Sequence, residues 1–450
     1  MKQLYIWSLC LFCTLGFFAC TPQEEIFTNN SVTLGFSDQA VVFDTLFTNT
    51  RSITKRLTVY NPDKNAVKIQ RIEVGGKSAS PYQVTIKGRK DIVFTDVELL
   101  GGDSLLVLVE INVPSDSQSG VAIAFDSLLF TTNQVEQQVK LIAWRENARV
   151  LQSYTVTGNE TWDKNQPYII QDSVTVAPGA TLTIEDSTRI FAFDQKAFMK
   201  VQGNLVVQGD TGKIVSFGGF RREIAFEEQV GQWRGIVLEA GATADIRFAV
   251  IKNAITGIAI TGNDADATPD LTLKNTLIKN MLLDGIKADN ADVLLENTII
   301  NNCVGHTLGI VNGGNYTLQH CTLANYEFEF IRTVPSISLS NEAGNDFAID
   351  WVNNILWGNK IDEIALPEPL GSLTINASHN ILKTSLTTLE GNNNLLNEDP
   401  MFEQENIGNL RLTMDSPAIN VALPIGILID IGKITRDATP DIGAWEFIPE

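Results

Sequence analysis

The chain has 450 residues, 44% of them hydrophobic, and a formal net charge of −20 at pH 7. This length and apolar content exclude a disordered or fibrous chain and leave room for two domains with their own cores. The acidic charge argues against nucleic acid and anionic lipid surfaces as partners.

The N-terminus has the pattern of a secretory signal peptide over residues 1–19. A lysine at position 2 precedes an apolar run that stops at Cys20, as in signal peptides and unlike membrane-spanning helices. The segment Gly16-Phe17-Phe18-Ala19-Cys20 resembles the lipobox of bacterial lipoproteins, although Phe17 replaces the usual leucine. This resemblance implies that the signal is removed and that Cys20 is lipidated. An ordinary signal peptide cleaved nearby is the alternative.

Residues 20–30 are interpreted as a tether. Its acidic pair, Glu24-Glu25, resembles the surface-export signal of lipoproteins in the Bacteroides group. The resemblance implies an outer-membrane lipoprotein at the cell surface, held to the membrane by its N-terminal lipid.

Residues 31–147 show short alternating strands separated by turns. Runs such as Ile53-Thr54-Lys55-Arg56-Leu57-Thr58-Val59-Tyr60 alternate apolar and polar residues, and Asn61-Pro62-Asp63 and Gly101-Gly102-Asp103 punctuate them. Period two with β-branched residues predicts an antiparallel β-sandwich. The region resembles the immunoglobulin-like modules of bacterial surface proteins, which space or present other domains.

Residues 150–395 follow a different pattern, in which one octapeptide recurs without intervening helices. Copies include Leu273-Lys274-Asn275-Thr276-Leu277-Ile278-Lys279-Asn280 and Leu295-Glu296-Asn297-Thr298-Ile299-Ile300-Asn301-Asn302. Their spacing of twenty-odd residues suits one turn of a solenoid each. The repeats resemble the right-handed parallel β-helix proteins of the pectate-lyase-like superfamily. The predicted fold class is therefore all-β, with a right-handed parallel β-helix after the sandwich.

The repeat alignment makes three structural predictions. Leu277 and Ile299 should point into the core, where a charge would have no partner. The third position of the copies should form a ladder of polar side chains at a corner; its members are Phe248, Asn275, Asn297, His320, Asn354 and Asn380. The second position should face outward; its members are Arg247, Lys274, Glu296, Gln319, Asn353 and His379.

Residues 396–450 are predicted to cap the last coil. The segments Asp399-Pro400-Met401-Phe402, Ser416-Pro417-Ala418-Ile419 and Asp441-Ile442-Gly443-Ala444-Trp445-Glu446 resemble the terminal block of bacterial β-helix surface proteins. A cap would protect the exposed strand edge of the final coil.

Three sets of residues are candidates for binding. Trp351 and Trp357 have the aromatic faces that stack on sugar rings, with packing in the coils as the alternative. Asp284, Lys287 and Asp289, with Asp292 nearby, form an acid and base cluster along one coil. Asp264, Asp266 and Asp270 offer oxygen ligands for calcium, although the loop lacks the glycine and terminal glutamate of an EF-hand. Apart from calcium, the sequence suggests no cofactor.

The cysteines that remain after signal removal and lipidation are Cys303 and Cys321. Two thiols make no disulfide scaffold, and their spacing with His306 and His320 fits no zinc motif known to us. We therefore expect buried thiols.

Fold alone does not choose the function, because the pectate-lyase-like superfamily holds lyases, hydrolases, epimerases and adhesins. The leading hypothesis is a surface β-helix that binds an extracellular polysaccharide or host surface without catalysis. One alternative is a polysaccharide lyase or glycoside hydrolase, with a site on the loop between Asn325 and Val352 or around Arg221, Arg222, Glu227 and Glu228. The other is a passive spacer or adhesin stalk.

Overall fold

The computed structural model describes residues 26–27, 33–47, 54–112, 121–262, 268–326, 330–366 and 371–449. The chain divides into two compact units, with the boundary after Asn147. Cys20, Asp264 and Asp266 lie outside the described residues. Within the described part of the chain, no helix has the length and apolar character needed to cross a membrane.

The N-terminal unit is a sandwich of two sheets that share one apolar core. The first sheet contains Ile26–Phe27, Ala40–Phe47, Ala66–Val74, Val93–Leu99, Val121–Thr132 and Val135–Glu146. The second contains Gly35–Phe36, Lys55–Tyr60, Tyr82–Ile86, Arg89–Asp91 and Ser104–Ile111. Most pairings are antiparallel, but Ile26–Phe27 and Ala40–Phe47 each join their neighbour in parallel. A 3₁₀ turn covers Lys77–Ala79.

The second unit is a parallel β-helix, in which each coil contributes a strand to each of three parallel sheets. Sheet I contains Arg149–Leu151, Tyr168–Ile170, Arg189–Ala192, Val215–Gly219, Ala249–Lys252, Leu277–Met281, Ile299–Cys303, Thr322–Asn325, Ile355–Gly358, Ile381–Leu382 and Leu395–Leu396. Sheet II contains Tyr154–Val156, Ser173–Val176, Phe198–Val201, Gly235–Leu238, Ile258–Thr261, Ile286–Asp289, Leu308–Val311, Ile337–Ser340 and Ile364–Ala365. Sheet III contains Asn159–Trp162, Thr181–Glu185, Asn204–Gln208, Thr243–Arg247, Leu271–Lys274, Val293–Glu296, Gly314–Gln319, Phe347–Val352 and Leu373–Ser378. The predicted all-β fold class is confirmed.

Few helical turns interrupt the coils, and the C-terminal segment adds a small antiparallel sheet. The helix Ile224–Glu227 lies in an insertion after the fourth strand of sheet I, and 3₁₀ turns cover Thr387–Leu389 and Glu405–Ile407. The small sheet pairs Phe402–Gln404 with Asn409–Leu412.

The interior of the β-helix is filled by side chains from all three sheets. The contribution of sheet I includes Ile278, Ile300, Leu323, Leu356 and Leu382. Leu277 and Ile299 are their neighbours in sequence, and side chains alternate between the two faces of a strand. They therefore face away from the interior, so the prediction that they point into the core is wrong by one residue.

The outward column of sheet I is nevertheless covered, by the C-terminal segment. Leu277, Ile299, Ile355, Trp357 and Ile381 belong to a second apolar cluster with residues of that segment. Its members from the segment include Phe402, Leu410, Leu412, Ala418, Ile442 and Ala444. The described contacts of residues 396–449 thus lie along the flank of several coils, whereas the predicted cap would touch the last coil alone.

The final block of the segment packs tightly against sheet I. Gly443 has a φ of +98°, and a Cβ atom there would come within 2.8 Å of Ile355 Cδ1 and 2.9 Å of Thr322 Oγ1. The absence of a side chain lets the Ala444 amide donate to Thr322 Oγ1 at 3.0 Å. A glycine between Ile442 and Ala444 is therefore required by contact with the coils.

The corner between sheets III and I carries a column of residues with positive φ, where asparagine is favoured. The column contains Phe248, Asn275, Asn297, His320, Asn353 and His379. Asn297 Nδ2 donates to Asn275 Oδ1 at 3.1 Å, and Asn353 Nδ2 lies 2.9 Å from His320 Nε2. The predicted corner ladder therefore exists, but Asn353 and His379 occupy it in place of Asn354 and Asn380. The prediction that Asn353 and His379 belong to the outward column is wrong.

The alignment slipped by one residue in the last two copies. Gln319 pairs with Val352, and Val352 pairs with Ser378, so Val352 and Ser378 hold the positions assigned to Asn353 and His379. Asn354 and Asn380 stand one position further on, where they form a second stack: Asn354 Nδ2 donates to Asn380 Oδ1 at 3.0 Å.

Candidate functional site

A cleft of about 740 Å³ opens at the corner where sheet I turns toward sheet II. One wall comes from the insertion after the fourth strand of sheet I, a second from the turns of two coils, and a third from the C-terminal segment. The lining residues are Glu228, Gln229, Val230, Leu282, Asn302, Val304, Phe330, Asn406 and Ile407. Amide groups and apolar side chains dominate this surface.

The insertion that forms the first wall is fastened to the coils by side-chain amides. Asn253 Nδ2 donates to the carbonyls of Glu227 at 2.9 Å and Gln229 at 2.6 Å. Gln232 Nε2 donates to the Phe226 carbonyl at 2.6 Å. These bonds satisfy backbone carbonyls at the end of the short helix and just after it, so the wall has a defined position.

Glu228 is the carboxylate of the cleft, and it binds two groups of the neighbouring coil. Lys279 Nζ lies 2.9 Å from Oε1, and Asn280 Nδ2 donates to Oε2 at 2.8 Å. Burial alone would raise the pKa of Glu228, but the bonds from Lys279 and Asn280 outweigh it and hold the pKa below its usual value. Glu228 is therefore ionised at neutral pH, and it accepts hydrogen bonds.

Asparagines extend this network up the corner between sheets I and II. Asn302 Nδ2 donates to Asn280 Oδ1 at 2.6 Å, while Asn302 Oδ1 is buried and finds no hydrogen-bond partner in the described part of the chain. The next asparagine, Asn325, donates to the carbonyls of Cys303 and Gly305. Asn302 therefore lines the cleft and has a side-chain oxygen that is not used as an acceptor by the described residues.

A second cleft, of about 330 Å³, lies on the other side of the same insertion. The guanidinium of Arg221 stacks on Phe226 at 3.8 Å and pairs with Glu223. The guanidinium of Arg222 stands 5.5 Å from the Phe191 ring. Lys252 Nζ lies 3.9 Å from Glu227. The cations of this cleft are thus matched by carboxylates and aromatic rings of the protein itself.

A buried ion pair holds the long connection that leads from Asn325 toward sheet II. Arg332 and Glu363 are both fully buried, with Arg332 Nη1 donating to Glu363 Oε2 at 2.7 Å. Arg332 Nη2 also donates to the Asn325 carbonyl at 2.8 Å. These contacts fix the connection at Arg332, two residues after Phe330, which lines the 740 Å³ cleft.

The two predicted sugar-stacking tryptophans are both covered. Trp351 pairs in register with Leu318 and is 0% exposed inside the β-helix. Trp357 is 6% exposed, within the apolar cluster under the C-terminal segment. The structure thus shows packing in the coils, the alternative to sugar stacking, for Trp351 as well as packing under the C-terminal segment for Trp357. Neither ring offers a face to a ligand in this conformation.

The predicted acid and base cluster does not gather. Asp284 precedes the strand Ile286–Asp289 and Asp289 ends it, while Lys287 between them is exposed. Asp284 Oδ1 accepts from the His306 amide at 2.8 Å, and Asp289 Oδ1 accepts from Asn312 Nδ2 at 3.0 Å. Each carboxylate therefore binds the next coil, a structural use that its sequence position did not show.

The calcium hypothesis rests mainly on residues outside the described part of the chain, namely Asp264 and Asp266. Asp270 is described, and its Oδ2 accepts from the Asp292 amide at 3.0 Å. Among the described residues, no group of three or more His, Cys, Asp or Glu side chains is arranged to hold a metal ion.

Cys303 and Cys321 are buried free thiols, as expected. Burial raises the pKa of Cys303 above its ordinary value and that of Cys321 to about 12.

Sequence reasoning missed most of the cleft, although a signal was present. Leu282 and Leu283 stand in a turn where polar residues are usual, and they are 38% and 52% exposed. Exposed apolar residues that lie side by side often mark a surface that binds another element or a ligand. Ile407 could not be found in this way, since only the fold brings it beside these coils.

The fold and the cleft define a class: a two-unit, all-β protein with a sandwich and a parallel β-helix. No protein-family profile matches the chain. No curated protein matches it either.

Several solved structures show a weak likeness. The VesB protease of Vibrio cholerae is 16% identical, with 25% of this chain and 31% of that chain covered and a TM-score of 0.17. The chain thus spans about a third of that protein. The catalytic domain of a GH87 α-1,3-glucanase, solved with tetrasaccharides, is 9% identical over 76% of this chain and 79% of its own, with a TM-score of 0.28. The Agl-KA catalytic domain is 10% identical over 83% and 98%, with a TM-score of 0.22. Scores this low carry no argument, so the fold rests on the strand pairings.

Proposed function

We propose that this protein is a lipid-anchored, cell-surface β-helix that binds an extracellular polysaccharide or host-surface glycan without turning it over. The observation that supports it is the 740 Å³ cleft, whose lining combines amides with apolar side chains. Sugar rings present C–H faces and hydroxyl groups, which suit this combination. Ligand sites of this size are usually concave and mainly apolar, with a few polar groups that fix orientation.

The chemistry of Glu228 favours binding over hydrolysis. Glycoside hydrolysis uses a pair of carboxyl groups, one of which stays protonated through a raised pKa. Glu228 has a lowered pKa and is held by Lys279 and Asn280, so it has no proton to donate at neutral pH. Its role in the proposal is to orient the amides beside it.

A lyase or hydrolase is the second candidate, because Glu227 and Glu228 stand side by side at the two clefts near Lys252 and Lys279. Turnover would be seen as new reducing ends or as absorbance of unsaturated products from acidic polysaccharides, with and without calcium. A passive spacer predicts neither binding nor turnover.

The anchor in the proposal rests on sequence alone, through Cys20 and the preceding apolar run. Cys20→Ala removes the only thiol at the lipobox, so acyl chains should be absent by mass spectrometry and the protein should leave the membrane fraction. Acyl chains in this variant would refute the anchor. Protease treatment of intact cells tests whether the native protein faces outward.

Binding is tested with a glycan panel and a matched pair of variants. Ile407 lines the cleft and is 70% exposed, whereas Ile361 is 92% exposed and is not one of the lining residues. Ile407→Asp should abolish glycan binding, while Ile361→Asp should not, and both should melt like the parent. Equal glycan binding by the two variants would show that the binding site lies outside the cleft. Binding accompanied by turnover would replace the proposal with the enzyme.

A further inference from the structure

We infer that the 740 Å³ cleft recognises the acetamido group of an N-acetylated amino sugar, an inference that rests on the proposed glycan-binding function. The cleft is lined by Glu228 and Asn302, whose side chains carry hydrogen-bond acceptors, and by a group of apolar side chains. An acetamido substituent carries one N–H donor and one methyl group. A plain hexose carries a hydroxyl group at that position and has no methyl to bury.

The hydrogen-bond network determines which end of each amide faces which neighbour. The ionised carboxylate of Glu228 only accepts, so Asn280 must turn its NH₂ toward it. The oxygen of Asn280 then faces Asn302, which must in turn present its own NH₂ there, at 2.6 Å. Asn302 is left with its oxygen as the remaining group.

That oxygen is buried and has no hydrogen-bond partner among the described residues, and Asn302, which is 5% exposed, lines the cleft. A buried acceptor without a donor is costly, and such a group in a folded protein calls for an explanation. A ligand N–H or O–H would satisfy it. Carboxylate and sulfate groups would not, because at neutral pH they only accept hydrogen bonds.

The apolar side of the cleft decides between the two kinds of donor. Leu282, Val304, Phe330 and Ile407 line it, and Leu282 and Ile407 remain 38% and 70% exposed. A sugar hydroxyl group could also donate to Asn302, but it would bury no apolar surface of its own against these side chains. The methyl of an acetamido group would instead bury apolar surface while its N–H reached the acceptor.

The test uses an immobilised panel of matched oligosaccharides in the gluco and galacto series, which differ only in a 2-acetamido or a 2-hydroxyl group. We expect the acetamido member of at least one pair to bind roughly tenfold more tightly than its partner, the effect of about one good hydrogen bond. Ile407→Asp should remove this binding, and Ile361→Asp should not.

The results that would overturn the acetamido inference differ from those that would overturn glycan binding itself. Equal binding of both members of each pair, lost in Ile407→Asp, would overturn the acetamido inference and leave the proposed function standing. No binding to any member would overturn both. Acetamido binding that persists in Ile407→Asp and in Leu282→Asp would place recognition elsewhere and overturn the inference.

A second pair of variants tests the orientation of the amides. Glu228→Lys puts a donor where the acceptor stood, so Asn280 and Asn302 should both turn over and present an NH₂ group to the cleft. The preference for the acetamido member should fall to near unity. In Glu228→Gln the side-chain amide oxygen can still accept from Asn280, so this variant should keep the parent's preference for the acetamido member. Similar ratios in the parent and Glu228→Lys would show that the network does not set recognition.

Discussion

The two faces of sheet I are both apolar, but they are buried by different partners. The inner column, with Ile278 and Ile300, packs against the other two sheets of the solenoid. The outer column, with Ile299 and Ile355, packs against a segment that follows the last coil by sequence. Parallel strands covered on both sides read as continuous hydrophobic runs. The comparison shows why alternation along these strands does not reveal which side chains point inward.

The largest expected effect separates the two faces. Ile300→Asp would put a charge inside the solenoid with no partner and should cost more than about 4 kcal/mol, or prevent folding. Leu277→Asp, at a position of the outer column that is itself partly exposed, should cost about 1 kcal/mol. Urea unfolding followed by circular dichroism compares the two, and equal losses would mean that the faces are assigned incorrectly.

The C-terminal segment, which covers the outer column of sheet I, contains a buried ion pair. Arg436 is 5% exposed and pairs with Glu446 at 2.7 Å, while its Nη2 reaches Asn297 Oδ1 at 3.1 Å. Arg436→Ala should cost about 3–5 kcal/mol, because it leaves a buried carboxylate unpaired.

The control for this change is Arg411, whose guanidinium stacks on Trp445 at 3.8 Å. Its alkyl and charge contacts are at the surface, so Arg411→Ala should cost about 0.5–1 kcal/mol. Urea midpoints with unchanged slopes give both values. A smaller loss for Arg436→Ala than for Arg411→Ala would contradict the role of the buried pair.

The corner ladder joins the two faces and gives the third test. Asn297 is 0% exposed and bonds to Asn275, to the Ile429 carbonyl and to Arg436. Asn392 has a similar positive φ of +48° but is exposed. Asn297→Ala should therefore cost about 2–3 kcal/mol more than Asn392→Ala, since both lose the left-handed preference but only one leaves buried groups unpaired. Equal thermal stabilities of the two variants would show that the ladder bonds of Asn297 do not stabilise the fold.

The smallest effect is a pH dependence at the same corner. Burial, reinforced by the charge of Arg436, lowers the pKa of His320 from 6.5 to about 3. Below pH 6.5 the unfolded chain takes up a proton that the folded chain does not. Stability is therefore lost as the pH falls from about 6.5 toward 3, by about 2 kcal/mol at pH 5 from this group.

His320→Asn should remove this dependence while keeping the positive φ of +51° and the ladder chemistry. The difference in unfolding free energy between pH 7 and pH 5, measured for both proteins, checks it. An unchanged difference would show that His320 is protonated as readily in the folded chain as in the unfolded one.

The sequence by itself determined the local and periodic features of this protein. Repeated short strands with asparagines such as Asn275 and Asn297 specify stacked coils, because the strand period and the left-handed corner are properties of a few adjacent residues. The terminal block with Gly443 was also recognisable as a unit. What these features share is that each depends on neighbours in sequence.

Tertiary structure decided the register, the cover and the cleft. Trp351 is inside because of its pairing with Leu318, and no local pattern distinguishes it from an outward residue when both faces are apolar. Ile407 and Leu282 line the same cleft only because the C-terminal segment folds back along the coils. Contacts between residues more than a hundred positions apart depend on which surfaces are buried in the folded chain, and periodicity carries no information about that choice.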